Sequence, residues 1–139
     1  MVEQLRGHPS VAEPLLVRAG RLFRRRGCPH AAARVDLMLM DALACQGLHR
    51  RASRRGWGAA RCLQSLGDRP RTAAALLNLG GLADAHDRVS DAVTLWRRAL
   101  RLVEPDDLLR RGVIHNNLAG GQQALGRFRA ARDLYERSV

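Results

Sequence analysis

Between Asp91 and Val103 the apolar residues Ala92, Leu95, Trp96, Ala99, Leu100 and Val103 fall at i, i+3, i+4, i+7, i+8 and i+11. That spacing draws one stripe along an α-helix and has no match to the two-residue alternation of a strand. Ser90 stands where an N-cap belongs, Pro105 bars a further turn, and Asp106 or Asp107 can cap the next helix. Punctuation recurs at Gly27-Cys28-Pro29, Gly47, Gly67-Asp68-Arg69-Pro70, Asp87, Glu104-Pro105-Asp106-Asp107 and Gly126. Helical spacing between these marks predicts seven helices near 10–26, 30–47, 50–66, 70–86, 90–103, 108–124 and 127–138. No segment alternates with period two over a useful length. The expected class is therefore all-α, with short connections that set neighbouring helices antiparallel.

The pattern also repeats. Asn78-Leu79-Gly80-Gly81 returns as Asn117-Leu118-Ala119-Gly120, and the same 39-residue offset carries Ala92 to Ala131, Leu95 to Leu134 and Trp96 to Tyr135. Two helical hairpins with matched apolar registers are the signature of a repeat array. On these residues, 73–105 and 112–139 resemble tetratricopeptide (TPR) repeats. The first copy supplies Leu79-Gly80, Ala92, Trp96, Ala99 and Pro105; the second supplies Leu118-Ala119, Gly126, Ala131 and Tyr135. The chain departs from the family at Ala83 and Gln122, where an aromatic is usual, at Asp87 in place of the turn glycine, and at Ser138 in place of the last alanine. Ala19-Gly20, Phe23, Gly27 and Ala32 hint at a degenerate copy upstream. The expected organisation is one α-helical repeat domain over 1–139, with degenerate hairpins at 10–66, stacked as a short α-solenoid.

Composition agrees. Leu and Ala dominate the apolar residues, aromatics are few and Ile occurs once, a bias toward helix. The 139-residue chain can bury its own core without disulfides or metals. The net charge of +11 is carried by arginine alone, and it is lopsided: 14 arginines against 5 acids in residues 1–71, 10 against 8 in 72–139. Such asymmetry marks either an anion-facing surface or a solvated flank. Cys28, Cys45 and Cys62 are 17 residues apart, a spacing with no zinc or redox pattern, and are expected to be free, partly buried thiols. With no signal-like core and no long apolar run, a cytosolic location and no membrane contact are expected.

Catalytic chemistry is hard to find. His8, His30, His49, His86 and His115 are scattered, Cys28-Pro29-His30 lies in a turn, and no glycine-rich loop precedes a helix. No enzyme activity, metal or cofactor is expected. Gly80-Gly81 and Gly120-Gly121 read as close-packing positions.

In TPR proteins the first helix of each hairpin lines a groove for extended peptides. The resemblance thus points to Asn78, Asn116 and Asn117, whose amides offer both donor and acceptor to a peptide backbone; the alternative is that they cap or bridge neighbouring helices. The segment His49–Gly58, HRRASRRGWG, has three readings. Arg50, Arg51, Arg54 and Arg55 could pair with phosphates while Trp57 stacks on a base, with Arg24, Arg25, Arg26 and Arg61 extending the surface. Arg50-Arg51-Ala52-Ser53 matches a basophilic kinase pattern. Or the segment simply starts a helix, its arginines solvated, although cations at a helix N-terminus oppose the macrodipole by up to about 1 kcal/mol. That penalty implies a later helix start or an anionic partner.

The expected function is a TPR-like scaffold that binds a protein or peptide, and the chain also resembles the repeat regions of bacterial multidomain regulators and of caspase-like (CHAT) proteins. The alternative is an anion- or nucleic-acid-binding helical domain built on the N-terminal arginines, a nucleic acid being the less expected partner. Residues 132–139 stop inside the last predicted helix without a closing proline, so either a partner covers this end or the chain is a piece of a longer array, and self-association through the apolar face of 128–139 is a further expectation.

Overall fold

The computed structural model describes residues 9–139, and side chains from residue 11 onward. Among the described residues seven helices succeed one another: α1 (Pro9–Arg25), α2 (Pro29–Cys45), α3 (His49–Ser65), α4 (Arg69–Asp84), α5 (Val89–Leu102), α6 (Leu108–Ala124) and α7 (Phe128–Ser138). The described residues contain no strand. Two compact units emerge, Met1–Asp68 with α1–α3 and Arg69–Val139 with α4–α7.

One joint is used five times among the described residues. Gly27, Gly47, Gly67, Asp87 and Gly126 all have positive φ, between 58° and 74°. After each, the next N–H reaches back over the helix end: Cys28 to the Phe23 carbonyl, Leu48 to Leu43, Asp68 to Leu63, Arg88 to Ala83 and Arg127 to Gln122, at 2.8–3.0 Å. This is the Schellman closure, which satisfies carbonyls otherwise orphaned at a helix C-terminus. In four of the joints the same residue then accepts the first bond of the next helix, from Ala32, Ala52, Ala92 and Ala131 respectively. Those alanines are buried. Small side chains there let the returning helix lie close to the one it left. The first four of these left-handed residues, at 27, 47, 67 and 87, are evenly spaced by 20, a period finer than the 39-residue sequence repeat.

The joint also fixes where helices begin. Ser90 is not the N-cap of α5; Arg88 holds that position without a side-chain bond, because the Schellman closure at Ala83 already places it. The connection at 103–107 is different: Val103 is extended (ψ 132°), and Asp107 caps α6 by accepting the Arg110 N–H at 3.1 Å.

In the first unit Ala12 and Leu16 of α1 meet Val35 and Leu39 of α2, while Ala33 meets Ala59 and Leu63 of α3. In the second unit Trp96 of α5 is the centrepiece, 3% exposed. Its Nε1 donates to the Leu77 carbonyl at 3.2 Å. A Cβ on Gly80 would lie 2.3 Å from that Nε1, and one on Gly121 would lie 2.6 Å from Val93 Cγ2 and 3.2 Å from Trp96 Cζ3. Glycine thus lets α4 and α6 approach the indole from either side. Gly81 and Gly120, by contrast, face open space; only one member of each pair is a packing residue. Gln122, where the family carries an aromatic, is 1% exposed, and its Oε1 accepts from Arg127 Nη1 at 3.4 Å.

Candidate functional site

The arginines of HRRASRRGWG lie in the first two turns of α3, which begins at His49 with no delayed start. The cations there find carboxylates on other helices. Arg51 donates to Glu13 of α1, and Arg55 donates to Asp36 of α2 at 3.3 Å. Asp36 is itself buried and also accepts from Arg24 of α1, at 2.5 Å. One carboxylate therefore ties the three helices of the unit together through two guanidiniums.

Around this tie opens a cleft of about 640 Å³. Arg24 forms its α1 wall. Its floor is the first half of α2, with Pro29, Ala32, Ala33 and Asp36. Its α3 wall carries Arg51, Arg54, Arg55, Gly58, Arg61 and Cys62. Arg50 and Trp57 do not line it, so the base-stacking partner expected beside the arginines is turned elsewhere on α3. Arg24 and Arg61, expected only as extensions, are part of the wall. Arg54 and Arg61 make no ion pair or hydrogen bond among the described residues. Gly58 lies between them on one face at i+4 and i+7, and a Cβ there would meet nothing within 4 Å. Ser53 is half-buried inside the helix.

Asp36 is the side chain of this cleft that the sequence pattern did not single out. The signal was present: an acid on the stripe that otherwise reads Ala32, Leu39, Met40, Leu43 must find a cation when it is buried.

The second region is the exposed face of α4 and α6 that carries the asparagines. Asn78 and Asn116 are exposed and Asn117 is half-buried. No hydrogen bond engages these amides among the described residues. Each of Asn78 and Asn117 is followed three residues later by a glycine in open space, Gly81 and Gly120, so the pair recurs one turn apart on both helices. Gln123, further along α6, accepts from the Tyr135 hydroxyl at 3.3 Å. On α7 Phe128 and Tyr135 are exposed.

The remaining polar candidates stay separate. His30 meets Asp68 at 2.6 Å, not Cys28. Cys28 and Cys45 are exposed rather than partly buried, Cys62 is half-buried, and all three are free. His8 lies outside the described residues. Among those described, no three His, Cys, Asp or Glu side chains cluster to hold a metal. No described helix is long and apolar enough to cross a membrane. His115 is buried with an unbonded Nδ1, and burial, followed by the charges of Arg111 and Arg137, pushes its imidazole below the usual histidine range.

No protein-family model matches the chain, and no curated protein matches it by sequence. Solved structures do match. The crystal structure of BtubC (BKLC) from P. vanneervenii has a TM-score of 0.87 at 22% identity, covering 95% of this chain. This chain spans 56% of BtubC. The crystal structure of MamA has a TM-score of 0.66 at 14% identity, covering 98% of this chain and 81% of MamA. The fold is TPR-like. At these identities the likeness establishes the architecture: helical repeats, all α, joined by tight turns.

Proposed function

We propose that the chain is a protein-interaction scaffold of TPR-like type, which holds an extended peptide along α4 and α6 and acts by binding rather than by catalysis. The observation that carries this reading is the recurring pair Asn78/Gly81 and Asn117/Gly120. A glycine inside a helix costs about 1 kcal/mol relative to alanine. Gly80 and Gly121 offset that cost by admitting Trp96, but Gly81 and Gly120 touch nothing that would explain them. Beside each stands an amide with free donor and acceptor capacity, able to bond a peptide group whatever its side chain. A backbone approaching the helix would use both features at once. Asn116 lies next to the second pair and extends the same surface.

The test is recovery of a protein partner by the wild-type chain, by Asn78→Ala/Asn117→Ala and by Gly81→Leu, each at low and high salt. The reading expects the same partner at both salts, lost in both variants. Capture that vanishes with salt yet ignores these substitutions would sink it.

A further inference from the structure

We propose that the cleft walled by α1 and α3 is a binding site for phosphoryl groups, distinct from the peptide surface on α4 and α6. The charge inside it is not self-compensated. Five guanidiniums face one carboxylate among the lining residues, and Glu13 balances Arg51 from outside, so three positive charges stay unmatched. They are also not equivalent. Arg24 and Arg55 are clamped by Asp36, and Arg51 by Glu13, which fixes the walls. Arg54 and Arg61 are left with no partner and with their planar five-donor forks available. They sit two helical turns apart on the same wall.

Between them the wall is cut away at Gly58. Nothing in the fold requires a glycine there, because a Cβ would meet no atom within 4 Å. It nonetheless occupies the middle of a helix, where alanine is the more stable choice. The floor is also low: Pro29, Ala32 and Ala33 are small, and the Asp36 carboxylate beside them is already held by Arg24 and Arg55. Small side chains on two sides and free guanidiniums at both ends describe a space for a compact, highly charged group. A phosphoryl group carries close to two negative charges, so one or two of them match the unpaired charge within about 640 Å³. Carboxylates would need three residues' worth of chain to do so. A nucleic acid would draw on an aromatic platform, and Trp57 does not line the cleft.

Titration calorimetry on the full chain at fixed ionic strength tests this, with inorganic triphosphate as the probe. One-to-one binding is expected. Arg54→Gln and Arg61→Gln should each weaken it about tenfold, and Gly58→Leu should abolish it while circular dichroism stays unchanged. Gly58→Ala should weaken binding yet raise the melting temperature, a combination that a purely structural glycine cannot give. Arg25→Gln/Arg26→Gln removes twice the charge of either single variant, outside the cleft, and should leave affinity unaltered. A phosphoserine peptide run alongside separates the sources: tighter binding than triphosphate assigns the group to a modified protein, weaker binding to a free metabolite. The proposal is overturned if triphosphate gives no heat at millimolar concentration or if the Arg25/Arg26 control loses as much as the cleft variants. It is equally overturned if an unphosphorylated acidic peptide or a single-stranded oligonucleotide binds as well as either phosphoryl ligand. Because the Asn78 and Asn117 variants leave this cleft untouched, either site can fail without the other.

Discussion

Adjacent glycines in α4 should respond to the same substitution with opposite signs. Gly80→Ala places a methyl 2.3 Å from Nε1 and 2.5 Å from Cδ1 of Trp96, roughly 1 Å inside the separation of about 3.5 Å at which such atoms rest. The indole is a rigid plate with little room to retreat, since α6 at Gly121 lies so close to it that a Cβ there would come within 3.2 Å of Cζ3. Relief must come from a shift of α4 or a turn of the ring that strains the bond to the Leu77 carbonyl. Overpacking of this kind costs about 1–3 kcal/mol, and a weakened hydrogen bond adds about 1 kcal/mol. Against these stands the gain of about 1 kcal/mol from replacing a helical glycine. The net expectation is a loss of about 1–3 kcal/mol. Gly81→Ala meets nothing within 4 Å and keeps only the helix-propensity gain, so it should stabilise by about 1 kcal/mol. Urea unfolding of the two variants beside wild type measures both. Shifts in the same direction would refute the assignment of Gly80 as the close-approach residue and Gly81 as the open one. Gly121→Ala and Gly120→Ala should reproduce the contrast on α6.

The joints and the core carry three more expected outcomes. Asp107→Ala should cost about 1 kcal/mol through loss of the α6 cap, whereas Ser90→Ala should change stability by no more than about 0.5 kcal/mol, as befits a surface site without a capping role; thermal denaturation distinguishes them. Asp87 is, among the described residues, the non-glycine one with positive φ, at 58°, so Asp87→Gly should be neutral or stabilising, while Asp87→Val should lose about 1–2 kcal/mol. His115 favours its neutral form in the folded chain, so the unfolded chain binds the extra proton as pH falls through the ordinary histidine range. Stability should therefore decline from about pH 7.5 toward about pH 5.5, and His115→Leu should flatten that slope in denaturant melts taken across the range.

The helices were legible in the sequence because two local signals coincide in this chain. The apolar stripes give the period, and glycine at four of the joints, with Asp87 and Pro105 at the other two, marks the stop, so the predicted ends fall within two residues of the observed ones. Ser90 misled because cap preference is a property of one residue, while the start of α5 is dictated by a closure six residues long. The glycine pairs looked alike in one dimension; only the position of Trp96 separates Gly80 from Gly81. The arginine cleft was half legible. Arg51, Arg54 and Arg55 are neighbours in the chain, but Arg24 and Asp36 join them through the packing of α1 and α2, for which no local signal exists. Gln122 takes a buried place that the family pattern reserves for an aromatic, and its partner Arg127 comes from the next joint.

The twenty-residue spacing of the joints constrains how such a chain can change length. Within each unit a step is one helix plus one reversal, so inserting or deleting a single step there would send the helices that follow it in that unit in the opposite direction. Inserting two steps restores the direction and returns every buried alanine after a joint to its own kind of neighbour. Growth by tandem duplication is therefore viable only in even steps, close to the 39 residues that separate Asn78 from Asn117. The bond pattern around one left-handed residue thus sets the length of gene segment that can be copied without unfolding its product.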